Sequence, residues 1–123
     1  MREFEPNAPP LEDRLDAIRH LAARGFCVNA MVEPYLSDPL AIADRALAVL
    51  PPAGIVAIGK MNYQANIEFF PGNPAKNAAA IEYLDELYNR ENTMRLFEAV
   101  KANPRLFLKK DSVDAVLKHA CHR

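Results

Sequence analysis

The chain has 123 residues, half of them apolar or aromatic and a quarter charged, with fifteen Lys and Arg against sixteen Asp and Glu for a formal net charge of −1. One ordinary domain has this length, and this composition excludes a disordered or fibrous chain. Charges this evenly balanced exclude a strongly basic nucleic-acid footprint and an acidic solvating tail. The first ten residues contain Pro6, Pro9 and Pro10, which fix φ and bias their predecessors towards extended backbone. An extended Pro-rich arm is therefore expected over 1–10, followed by a single α/β domain over 11–123. Pro10 is expected as the first helical residue. From there Leu11, Leu15, Ile18 and Ala22, widened by Leu21, form a helical stripe that Gly25 ends as a left-handed cap.

Phe26 to Val32 reads as a buried strand ended by Glu33-Pro34. Ser37 or Asp38 is expected to cap a second helix that starts at Pro39 and buries Leu40, Ala43, Ala46, Leu47 and Leu50. Gly54 to Gly59 is a second short strand, apolar on both faces. Apolar strands between helices predict a parallel sheet covered on both sides. A long loop runs over 60–73, a position that often carries function. Pro74 to Asn103 is helical, with a break or kink near Asn89–Asn92 where the stripe drifts. Leu106-Phe107-Leu108 is a third strand, and Asp111 or Ser112 caps a last helix through Val113, Val116 and Leu117. The fold class is α/β, with about three short parallel strands and five or six helices in a run of βα units.

Right-handed βα units bring strand carboxyl ends to one rim, where α/β proteins bind ligands. The first strand delivers Glu33 there, above Asn29 and Met31 on the same face; the second delivers Lys60 and Asn62, the third Lys109 and Lys110. Glu33 and Lys60 on neighbouring strands are expected within reach of each other, as a functional pair or as a structural ion pair. Lys109 and Lys110 read equally well as the polar ends of a strand.

These residues carry a resemblance. Glu5-Pro6-x-Ala8-Pro9, Arg14-Leu15-x-Ala17-Ile18, Leu21, Gly25 and Met31-Val32-x-Pro34 resemble a stretch of the radical S-adenosylmethionine superfamily, in the branch grouped with spore photoproduct lyase and DNA repair photolyases. Ile58-Gly59-Lys60-x-Asn62 is similar to a strand end in related members. The likeness covers mainly residues 3–62 and weakens towards residue 110. It implies the C-terminal part of a partial (βα) barrel, with S-adenosylmethionine and a [4Fe–4S] cluster as the enzyme's cofactors. It also implies Asn29, Glu33, Lys60 and Asn62 as positions on the cofactor- or substrate-facing rim. Such enzymes hold the cluster with a Cys-x₃-Cys-x₂-Cys loop, because thiolates are its ligands. Cys27 and Cys121 lie far apart in the sequence and outside any such loop. This chain alone is therefore expected to be catalytically incomplete.

Two other functions stay open: a stand-alone α/β ligand-binding or protein-interaction module, and a nucleic-acid accessory domain. A three-stranded sheet has two edges, which predicts self-association or a partner chain along them. Tyr63, Phe69 and Phe70 with Lys60, Asn62 and Asn66 offer either a base-stacking surface or a loop that packs its own aromatics. Lys101, Arg105, Lys109 and Lys110 read as a solvated face flanked by Glu98 and Asp111. His119, Cys121 and His122 lack the further ligands of a zinc site, so no metal is expected. Cys27 reads as an inert buried thiol. No apolar run nears the ~18 residues of a membrane span, the start lacks a signal peptide's apolar core, and two lone cysteines suit a reducing cytoplasm.

Overall fold

A computed structural model describes residues 4–61 and 67–120. Among them are five helices and three strands: α1 (Leu11–Ala23), β1 (Ala30–Val32), α2 (Pro39–Val49), β2 (Val56–Ile58), α3 (Pro74–Leu87), α4 (Arg90–Ala102), β3 (Leu106–Leu108) and α5 (Lys110–Ala120). The strands form one parallel sheet in the order β1-β2-β3. The chain is α/β, as the periodicity predicts, but β1 and β2 are only three residues each.

Local chemistry sets most boundaries. Pro10 sits just outside α1 as its N-cap residue rather than inside it. Gly25 closes α1 at φ 84°, donating to the Ala22 carbonyl at 3.0 Å; a side chain would be strained in that left-handed region. The Asp38 carboxylate accepts from the Leu40 amide at 3.0 Å, with Pro39 as the first helical residue. The expected break near Asn89 separates α3 from α4, and Asn89 caps α4 by accepting from the Asn92 amide at 2.8 Å. α5 begins at Lys110, one residue before the expected caps. The Ser112 hydroxyl instead accepts from the Lys60 amide at 2.9 Å.

The sheet is covered on one side, contrary to the expectation of two. Ala30, Val32, Val56, Ile58, Leu106 and Leu108 point into the core with Leu15, Ala43, Ala46, Leu50, Leu96 and Val116. α2 lies against β1 and β2, and α4 against β3; α1 packs on α2 and α5 on α4. The alternate residues face the other way: Met31 is 64% and Phe107 59% exposed, with half-buried Ala57 between them. The helices that pack on the sheet, α2 and α4, lie on the other face and leave Met31 and Phe107 exposed.

The remaining corrections follow from this one-sidedness. Leu21, Val113 and Leu117 are exposed, on helices whose main contacts are with one neighbour each, α1 with α2 and α5 with α4. Cys27 is exposed, because the chain before Ala30 is outside the ladder rather than a buried strand.

Candidate functional site

The pairing register places the open-face residues in rows across the three strands. Met31, Ala57 and Phe107 form the middle row. Beyond the amino ends of the ladder lie Asn29, Ile55 and Arg105; the row that follows its carboxyl ends is Glu33, Gly59 and Lys109. Hydrogen bonds continue the ladder into that last row: Gly59 N donates to Val32 O at 3.0 Å and Lys109 N to Ile58 O at 2.8 Å.

Glu33 does not pair with Lys60. Its carboxylate reaches across the middle strand and accepts from Lys109 Nζ at 2.6 Å. Gly59 makes this possible. A Cβ there would stand 3.0 Å from Glu33 Cγ and Cδ and 3.1 Å from Oε1. Lys60 follows Gly59 just beyond β2, so continued alternation turns it to the opposite face. Its ammonium lies 5.6 Å from the centre of the Tyr88 ring, near enough for a cation–π attraction. The expected pair of opposite charges thus exists at this rim with a different cation. Both side chains remain partly exposed, 27% for Glu33 and 38% for Lys109, so the pair contributes little to stability and is accessible to a ligand.

Gly59→Ala is expected to push the Glu33 side chain off the middle strand and break its contact with Lys109 at a cost under about 1 kcal/mol, because the clashing group is a flexible side chain. Gly54→Ala is the comparison. Its Cβ would meet the Val28 carbonyl oxygen at 2.8 Å, backbone that cannot swing aside, and is expected to cost about 1–3 kcal/mol. Urea unfolding of both variants checks the order, and lysine ζ-ammonium NMR checks the lost pair.

Asn29 is not brought to this rim. It lies at the amino end of the sheet, where its side-chain oxygen accepts from the Ile55 amide at 3.0 Å. Arg105 is held at the same end by the carbonyls of Gly54 at 2.9 Å and Pro51 at 2.8 Å. Asn62, Tyr63 and Asn66 lie outside the described residues.

Tyr88, the residue that ends α3, organises the rim, a role that no motif in the sequence marks. Its hydroxyl donates to the Tyr35 carbonyl at 2.7 Å and accepts from the Met61 amide at 2.9 Å. Tyr35 in turn donates its amide to Gly59 O at 3.0 Å, across the Glu33-Pro34 cis peptide from β1. The two phenol rings meet edge to face with centres 4.9 Å apart. Burial pushes the Tyr88 phenol up to about 12 and the Tyr35 phenol higher still, with each helped by a neighbouring tyrosine. The folded chain therefore holds these protons more tightly than the unfolded chain, whose phenols ionise near pH 10. Their contribution is full below about pH 10 and is lost as pH rises through 12. Thermal melts between pH 9 and 12 should fall more steeply for the native chain than for Tyr88→Phe; parallel falls would sink this assignment.

Two other features resolve into packing. Phe4 of the arm meets Phe69 edge-on, Phe70 tilted and Tyr83 stacked, with ring centres 5.9–6.1 Å apart, so Phe69 and Phe70 pack within the chain. Of the basic group, Lys101 pairs with Glu98 at 3.3 Å and Lys110 with Asp114 at 2.9 Å. Beside Glu33, between α1, β1 and α2, is a cavity of about 130 Å³ lined by Leu11, Leu15, Val32 and Ile42, with Glu5 and Arg14. It is well below the ~300 Å³ of a small-molecule site. Among the described residues no His, Cys, Asp or Glu group is placed to hold a metal, and no helix is long and apolar enough to cross a membrane. The chain matches no protein-family model, no curated protein and no solved structure.

Proposed function

We propose that this chain is a wall of a βα barrel of the radical S-adenosylmethionine type, which turns its strand carboxyl ends towards cofactor or substrate. One observation carries the reading: three parallel strands in sequential order with helices on one face and an open face opposite. A doubly wound sheet has helices on both faces, whereas a barrel wall has them only outside. The rim suits a ligand bearing both signs of charge. Lys109 on the open face supplies an ammonium donor for a carboxylate or a ribose hydroxyl, Lys60 a second from the helix side of the same rim, and Glu33 accepts from an amine.

The residues do not fit the iron–sulfur cluster. Two cysteines cannot supply three thiolates, so the chain is read as a binding wall that does not perform the chemistry alone. Titration calorimetry with S-adenosylmethionine tests this. Weak binding that Lys60→Ala and Lys109→Ala both reduce supports the reading. No heat at millimolar cofactor, or binding indifferent to both lysines, would overturn it.

The interaction-module reading is favoured by the same bare face. The nucleic-acid reading loses part of its stacking surface to Phe4.

A further inference from the structure

We propose that the open sheet face is an interface between two copies of this chain, stacked face to face about a two-fold axis parallel to the strands. Met31 and Phe107 are the most exposed large apolar side chains among the described residues, at 64% and 59%, and they flank Ala57 in one row. A two-fold interface uses the same patch on both copies, so the two large apolar side chains of one copy are met by the two of the other. Methionine sulfur against an aromatic ring is a favourable contact.

Charge selects the orientation. A two-fold parallel to the strands places β1 of one copy over β3 of the other, with all strands running the same way. Glu33 then lies over Lys109 of the second copy, twice. Met31 lies over Phe107 in the same manner, and Ala57 over Ala57. A two-fold across the strands would instead stack β1 on β1 and β3 on β3, leaving the carboxyl-end charges without opposite partners.

The reach is right. Glu33 and Lys109 already span two strand spacings, roughly 9–10 Å of backbone, to meet at 2.6 Å. Facing sheets pack about 10 Å apart, so the same side chains can meet across the interface. The result is a four-charge ring of alternating sign. Gly59 adds no side chain of its own at the centre, where the Glu33 side chain passes over it.

Edge-to-edge growth is less suited. α1 and α5 flank the helix layer, so β1 of one copy beside β3 of another would bring those two helices into the same space.

The test uses the whole chain and two charge reversals, Glu33→Lys and Lys109→Glu. Analytical ultracentrifugation from micromolar to millimolar concentration should show a reversible monomer–dimer equilibrium for the native chain. Each variant alone sets like charges over one another twice and should dissociate about 100-fold more readily, roughly tenfold per contact. An equimolar mixture of the two variants should regain native affinity as a heterodimer. The ammonium introduced by Glu33→Lys in one copy then faces the carboxylate introduced by Lys109→Glu in the other, and the untouched Lys109 and Glu33 face each other. Pairing within a chain cannot produce that rescue. Phe107→Ser should abolish the dimer while circular dichroism shows an unchanged fold. A native chain monomeric up to millimolar concentration overturns the proposal, as does a dimer indifferent to the reversals or not rescued by mixing. Cofactor calorimetry on monomer tests the barrel-wall reading separately, so either idea can fail alone.

Discussion

Ile58→Ala is expected to lower the free energy of unfolding by about 2–5 kcal/mol, while Phe107→Ala changes it by no more than about 0.5 kcal/mol. The two residues sit on adjacent strands, one row apart, and both are large and apolar. Ile58 has no exposed surface, whereas Phe107 is 59% exposed. Ile58 lies in the central strand between Val32 and Leu108, with helices packed beneath that face. Removing three carbons there forfeits their burial and leaves a cavity the helices cannot readily close. Its backbone bonds persist, because its carbonyl receives the Lys109 amide whatever the side chain. The loss should therefore appear in the unfolding midpoint with little change in m-value. Phe107 touches no covering layer, so its truncation removes mainly surface that water already reached. Urea titrations at low micromolar concentration, where copies stay apart, decide the matter. Similar large losses at both positions would mean that the sheet is covered on both faces after all.

That contrast marks what the sequence made legible. The succession of helices and strands was readable because helical stripes, Pro-initiated helices and Gly25 each have a local cause. The capping carboxylate of Asp38 acts within two residues, a range over which sequence is decisive. The covered face was not readable. Ala30-Met31-Val32 and Leu106-Phe107-Leu108 are apolar on both faces, so alternation could not tell the helix-covered side from the bare one. Glu33 and a lysine do meet, but strand parity decides which lysine. Glu33 shares its row and face with Gly59, whereas Lys60 turns the other way. A glycine in the middle of the row was the available clue: with no side chain in its path, Glu33 continues to the third strand. Tyr88 left a fainter trace, an aromatic at the point where the helical stripe drifts. Its partners, Tyr35 and Met61, are remote in sequence, and only the fold brings them together.

Tyr88→Phe is the second large effect, with an expected cost of about 1–3 kcal/mol, and Tyr88→Ala is expected to cost about 3–5 kcal/mol. The first figure comes from the hydroxyl alone. It both accepts from the Met61 amide and donates to the Tyr35 carbonyl, so its loss leaves two backbone groups without that partner in a half-buried site. The larger figure adds the ring, which packs edge-on against Tyr35 and lies under the Lys60 ammonium. The consequences extend to the charged rim. Tyr35 is tied by its amide to the Gly59 carbonyl, and Gly59 is the residue over which Glu33 reaches Lys109. Loosening Tyr88 therefore frees the two segments that follow β1 and β2 together. Hydrogen exchange at the Met61 and Tyr35 amides should quicken in Tyr88→Phe, while amides of the α2 interior keep their protection. Lys60 supplies the discriminating readout. Phe retains a ring face for its ammonium and Ala does not, so an ordered Lys60 should survive the first substitution and not the second. If Tyr88→Phe exchanges like the native chain at the Met61 and Tyr35 amides, the hydroxyl is not what holds the rim. The position of Lys60 and the approach of Glu33 to Lys109 would then have to arise from the strands alone.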